Sequence, residues 1–163
     1  MRGVFAPLLV VACAAALGGC VFALQDSTPL PAVVATVQLD AADDRTPFAQ
    51  ALRRRLGAAG ADPGAAGATG VAVLRIERDE VLERVASVSA RNIPREYELT
   101  QVVRFSLDAG GTRRISAAEV SASRSLTFDE RRALAKERER EQLREALADE
   151  VAGIVLQRVA GLR

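Results

Sequence analysis

The segment "REYELTQVVRFSLD", Arg95 to Asp108, alternates between apolar and polar side chains, and this alternation restricts the fold more than any other feature. Tyr97, Leu99, Val103, Phe105 and Leu107 share one parity. Glu96, Glu98, Thr100, Arg104, Ser106 and Asp108 share the other, with Val102 as the exception. A period of two puts successive side chains on opposite faces of a strand, so one face is core and the other is wet or packed on a partner. "AGGT", Ala109 to Thr112, is a hairpin signal. "RRISAAEVSASRSL" returns as the next strand, weak in bulk and rich in Ser and Ala.

Two earlier segments read as strands. In "AVVATVQLD", Val33, Ala35, Val37 and Leu39 alternate with Val34, Thr36 and Gln38. In "GVAVLRIERDEVLERVASVSA", Leu74 and Ile76 alternate with Arg75 and Glu77, and the phase breaks around Arg78 to Glu80. A bulge or two short strands would account for the break. A helix from Glu77 to Val85 is the alternative, because Val81, Leu82 and Val85 also suit a helical face.

Two segments have helical period. Thr46-Pro47 fits an N-cap followed by the first helical residue, and Phe48, Leu52 and Leu56 recur every four residues. Gly57 or Gly60 supplies the stop. Later, Thr127 and Glu130 have capping-box spacing. From there Leu143, Leu147, Val151, Ile154, Val155, Val159 and Leu162 form the longest stripe. In "KEREREQLRE" the pairs Glu137/Glu141, Arg140/Arg144 and Glu141/Glu145 set like charges at i,i+4, which suits an outside partner better than a free helix. The order β-α-β-β-β-α predicts an α+β two-layer sandwich, with two helices on one face of a mixed four-stranded sheet.

The first residues look like an address. Arg2 precedes an apolar run, Val4 to Leu17, that is too short for a membrane span, which needs ~20 residues. Leu17-Gly18-Gly19-Cys20 resembles the lipobox of bacterial lipoproteins, a Leu-small-small-Cys pattern. The expected layout is a signal peptide over 1–19 cleaved between Gly19 and Cys20, a lipidated amino terminus and tether over 20–31, and a single domain over 32–163. Cys13 would leave with the signal, and acylation would remove an otherwise free exported thiol at Cys20. Acyl chains also anchor, at ~0.8 kcal/mol per buried methylene. An ordinary export signal with a chance cysteine is the alternative. Val21 stands where an Asp would, by the same resemblance, retain a lipoprotein at the inner membrane, so the resemblance implies the outer membrane.

Composition narrows the chemistry. The chain has no histidine, so neither a Ser-His-Asp nor a Cys-His site can be assembled, nor a zinc site containing His. A carboxylate-only hydrolase would need two facing acids. Most acids here sit in mixed-charge runs that read as solvated faces. The "GAAGADPGAAGATG" stretch, Gly57 to Gly70, lacks the Lys-Ser/Thr ending of a phosphate loop and reads as a connection. With 22 Lys+Arg against 21 Asp+Glu, the chain lacks the cationic excess that bulk nucleic-acid binding requires. No cofactor is expected beyond covalent lipid on Cys20.

Four stretches in one order resemble the LPS-assembly lipoproteins, the LptE family. They are "LGGCVFAL", "RTPFAQALRRRLGAAG", "RVASVSARNIPREYELTQVVRFSL" and "VSASRSLTFDERRALAKERERE". Departures are Val21 and Ala23 after the cysteine and the Ala/Gly-rich connection from Gly57 to Gly70. The resemblance implies a non-enzymatic lipoprotein, lipid-anchored on the periplasmic side of the outer membrane. It would plug the LptD β-barrel and help move lipopolysaccharide to the cell surface. A polar surface of balanced charge suits a barrel lumen, and arginine forks suit lipid phosphates. Lys136 falls in a matching family segment. Arg91 and Arg95, flanking a polar turn, and Arg113 and Arg114, after the "AGGT" turn, are further candidates for lipopolysaccharide phosphates. Ordinary solvated charge is the plainer reading of each. An accessory lipoprotein of another lipid or solute transporter is the alternative function.

Overall fold

The computed structural model describes residues 30–61, 70–127 and 133–162 of the chain. Four strands, β1 (Val37–Ala41), β2 (Ala72–Val88), β3 (Pro94–Ala109) and β4 (Thr112–Thr127), lie side by side in sequence order. β1 runs parallel to β2, and the other two neighbouring pairs are antiparallel. Helix α1 (Pro47–Ala58) crosses from β1 to β2, and α2 (Ala133–Ala160) follows β4. The predicted α+β sandwich, with two helices over a mixed sheet, is the observed one.

Local chemistry explains the first helix. The Thr46 hydroxyl accepts the Ala49 N–H at 3.1 Å, and Pro47 takes the position whose N–H needs no partner. Phe48, Leu52 and Leu56 are each fully buried. Gly60, at φ +84°, ends the helix in the left-handed region. Ala61 N–H reaches Leu56 C=O and Gly60 N–H reaches Gly57 C=O, both at 3.0 Å, which is a Schellman closure.

The β3–β4 turn also follows from sequence. Ala109 pairs with Thr112, and Gly110 and Gly111 both have positive φ. That geometry, left-handed at both central residues, favours glycine and matches the twist of the flanking strands.

Two expectations change, and one alternative is excluded. The first strand does not begin at Val33: Ala32–Val34 form a 3₁₀ turn, with Val34 N–H bonded to Pro31 C=O at 2.9 Å. The turn buries Val34 together with Val37 and leaves Val33 36% exposed, a spacing of three in place of two. The helical alternative for Glu77 to Val85 is also excluded, because β2 continues unbroken to Val88. The phase break there is a bulge: the pairing shifts between Ile76 and Arg78 and leaves Glu77 unopposed. Finally, Thr127 ends β4, and its proposed capping partner Glu130 lies outside the described residues.

The core sits between the sheet and the two helices. Leu74, Ile76, Val103, Phe105 and Leu107 meet Phe48, Leu52 and Leu56 of α1 and Val151, Val155 and Val159 of α2. A satellite cluster of Leu99, Leu126 and Leu147 extends it towards the β2–β3 turn. Each fully buried Leu, Val or Phe contributes ~1.5–3 kcal/mol. Among the described residues, no helix lies on the other face of the sheet.

Candidate functional site

Directly opposed residues of paired strands share a face, so the pairing register divides the sheet's chemistry. The uncovered face carries Arg75, Arg78, Arg84, Arg104 and Arg113, and each has an acidic partner. Arg75 reaches Asp40 at 2.9 Å, Arg78 reaches Glu80 at 2.6 Å, and Arg84 pairs with Glu98. Arg113 grips Asp108 through two hydrogen bonds, 2.9 and 3.1 Å. Those bonds hold the Asp108 carboxyl below the usual carboxylate range, as the bond from Arg78 does for Glu80. Thr100 and Ser123 hydroxyls are bonded across the sheet at 2.8 Å. The face is a polar mosaic in which each of these arginines is neutralised, while Glu96 is held, among the described residues, only by the Ser87 hydroxyl at 3.0 Å.

The β2–β3 turn is different. Ser89 N–H bonds to Ile93 C=O at 2.8 Å, Asn92 N–H bonds to Ser89 C=O, and Asn92 takes φ 60°. Arg91 projects from this turn, and Arg95 follows two residues after it. Both are exposed, and neither has an ionic partner among the described residues. Large apolar side chains are exposed beside them: Val85 47%, Val88 52% and Ile93 42%. Free cations next to apolar surface can hold an amphiphile with anionic head groups.

The first half of α2 packs against this end of the hairpin. Arg140 approaches Glu83 of β2 at 3.2 Å and Glu137 at 2.9 Å, and its guanidinium stands 5.9 Å from the centre of the Tyr97 ring. Lys136, one turn before Arg140, pairs with Glu139 at 2.7 Å, and its side chain is only 18% exposed. The run of like charges at i,i+4 is thus resolved inside the chain. Ion pairs at i,i+3 (Lys136–Glu139, Arg140–Glu137 and Arg144–Glu141) and the Arg140–Glu83 contact replace the outside partner that the pattern suggested.

The structure divides the five candidate cations. Arg91, Arg95 and Lys136 gather at one end of the molecule. Arg113 and Arg114 lie at the other, because Arg113 opposes Asp108 near the far end of β3. At ~3.3 Å per residue, the two groups are about 40 Å apart. Arg113 is occupied by Asp108, and Arg114 is exposed. Arg140 was hidden in sequence among the charges of "KEREREQLRE"; only the unfavourable i,i+4 pattern hinted that one of them had a partner elsewhere. Gly19 and Cys20 lie outside the described residues.

Two other features carry less chemistry. A shallow cleft between α1 and α2 is lined by Pro47, Gln50, Arg54 and Glu145, a wall unsuited to acyl chains. Among the described residues no group of His, Cys, Asp and Glu could hold a metal ion, and no helix is long and apolar enough to cross a membrane.

A two-layer sandwich with one largely self-neutralised open face and an amphipathic hairpin tip defines an α+β interaction module. Residues 34–159 match the family model LptE, described as lipopolysaccharide-assembly. The chain belongs to the LptE family of lipopolysaccharide-assembly lipoproteins. Rare lipoprotein B from Shewanella oneidensis is 28% identical, with a TM-score of 0.68 over 77% of this chain and 93% of that one. Lipoprotein B from Nitrosomonas europaea is 25% identical, with a TM-score of 0.67 over 85% and 90%. A minor lipoprotein from Acinetobacter baumannii shares the fold at 16% identity, with a TM-score of 0.65 over 80% and 93%. No curated protein matches the chain in sequence.

Proposed function

We propose that this lipopolysaccharide-assembly protein works without catalysis, as the plug and assembly factor of the LptD β-barrel in the outer membrane. In this reading Cys20 carries the lipid that holds it on the periplasmic side. The observation that carries the reading is the uncovered sheet face, where five arginines are each neutralised within the chain. A surface of that kind fits the polar lumen of a large barrel, because most of its charge is already compensated within the chain before docking. Family membership supports the pathway.

Arg91 and Arg95, with Val88 and Ile93 beside them, are the residues best placed to meet lipid phosphates. Lys136 has a lesser share because Glu139 holds it, and Arg113 and Arg114 stand apart from the group. Depletion of the protein in its host tests the pathway. Lipopolysaccharide should disappear from the cell surface while its synthesis continues. Normal surface lipopolysaccharide after depletion would refute the proposal.

A further inference from the structure

Towards the β2–β3 turn, the hairpin and α2 meet without a hydrophobic core. From Glu80 to Ala86 no residue of β2 is buried, and from Lys136 to Ala146 no residue of α2 is buried. The last buried cluster on this side is Leu99, Leu126 and Leu147. Val88, where β2 ends, stands ~17 Å beyond Glu83 at the rise of a strand. The turn that carries Arg91 is therefore the end of a lever, and a small tilt of the hairpin displaces it.

One side chain of α2 spans the coreless stretch. Glu83 is paired with Leu99, which packs on Leu147 of α2, so Glu83 faces the helix, as does Tyr97 two residues from Leu99. Arg140 meets both: its guanidinium reaches Glu83 at 3.2 Å and stands 5.9 Å from the centre of the Tyr97 ring, while holding Glu137 at 2.9 Å. Among the described residues this is the one ion pair between α2 and β2. The Arg140 side chain is 20% exposed, and its Nε is buried with no partner among the described residues. It is thus inserted between helix and strand, where salt screens it less than the exposed pairs of the open face.

We propose that Arg140 is a positioning residue. Its pair with Glu83 fixes the hairpin turn against the first half of α2, and so fixes Arg91 and Arg95 relative to Lys136, one turn before Arg140. Cations of both elements can then engage one amphiphile with anionic head groups. The proposal rests on the lipid reading of the hairpin tip. Arg140 is not itself a lipid contact, because Glu83 and Glu137 occupy its guanidinium. A planar fork suits the task, since it can hold two carboxylates in fixed directions at once.

The sign of one substitution tests this. Glu83→Gln removes a negative charge near the tip. If Arg140 were a lipid contact, or if bulk charge governed binding, purified lipopolysaccharide would bind this variant more tightly. Positioning predicts the reverse: binding by the full chain in mild detergent should weaken about threefold or more. The exchange Glu83→Arg with Arg140→Glu should restore it to within about twofold of wild type, since the opposed charges are kept. Tyr97 is the only tyrosine in a chain without tryptophan, so its emission reads the clamp with no lipid present. Acrylamide should quench it more in Glu83→Gln and as in wild type in the exchanged protein. Tighter or unchanged binding in Glu83→Gln, or an exchange that restores nothing, would overturn the proposal. Wild type that binds no lipopolysaccharide would refute the lipid reading instead. The clamp is then refuted separately if Tyr97 is quenched equally in all three proteins.

Discussion

The Thr46 hydroxyl donates a 2.7 Å hydrogen bond to the Asp79 carboxylate while accepting the Ala49 N–H, so one side chain caps α1 and ties it to β2. Gln101, itself buried, donates to the other Asp79 oxygen. Removing the hydroxyl should cost both links. Thr46→Ala is expected to lower stability by about 1–2 kcal/mol in urea denaturation, with the m-value unchanged.

Asp79 also sets a pH signature. Burial pushes its carboxyl above the ordinary value, and the bonds from Thr46 and Gln101 oppose that shift only in part. The folded state therefore holds this proton more tightly than the unfolded chain does. The contribution of Asp79 is greatest when it is protonated and falls as pH rises from the unfolded value through the folded one. Relative to Asp79→Asn, the wild-type melting temperature should gain as pH drops from neutral through the carboxylate range. Asp108 and Glu80 have the opposite sign: their depressed values give stability above the ordinary carboxylate range, lost as pH falls through the folded values. Asp108→Asn should therefore lose most relative to wild type near neutrality.

Gly153 of α2 faces Arg55 of α1, whose guanidinium binds Asp149 at 2.6 and 3.2 Å. A methyl group at Gly153 would meet the guanidinium carbon at 3.5 Å, an ordinary contact. Helix propensity then favours the larger residue. Gly153→Ala should raise stability by about 0.5–1 kcal/mol, readable as a higher urea midpoint.

At the hairpin tip, charge reversal separates a lipid site from general surface charge. Arg91→Glu with Arg95→Glu should weaken binding of purified lipopolysaccharide about tenfold or more, since each lost charge-assisted bond is worth ~1.5–3 kcal/mol. Arg114→Glu should leave binding within about twofold of wild type, because Arg114 lies at the far end of the sheet.

The elements that could be read in advance are those whose local chemistry decides them. Thr46-Pro47 and Gly60 mark the ends of α1, Gly110-Gly111 fixes a turn, and the parity of β3 fixes a buried face. The 3₁₀ turn at Ala32–Val34 could not be read this way, because two apolar residues three apart satisfy a turn as easily as alternation satisfies a strand over so short a span. The length of β2 was equally ambiguous. Its bulge at Glu77 breaks the alternation, and Val81, Leu82 and Val85 fit a helix until β3 is placed beside them. At the site, sequence supplied candidate cations but not their grouping. Glu139 takes Lys136 and Asp108 takes Arg113, and only the long antiparallel hairpin shows that Arg91 and Arg113 stand at opposite ends.

The central claim is that this chain acts by fitting its polar sandwich into an outer-membrane barrel. Affinity capture of the tagged full-length protein from gently solubilised membranes of its host tests it most directly. The account predicts a stoichiometric complex with one large β-barrel and with lipopolysaccharide. Capture of the lipoprotein alone, or with an inner-membrane ATPase in place of a barrel, would contradict it.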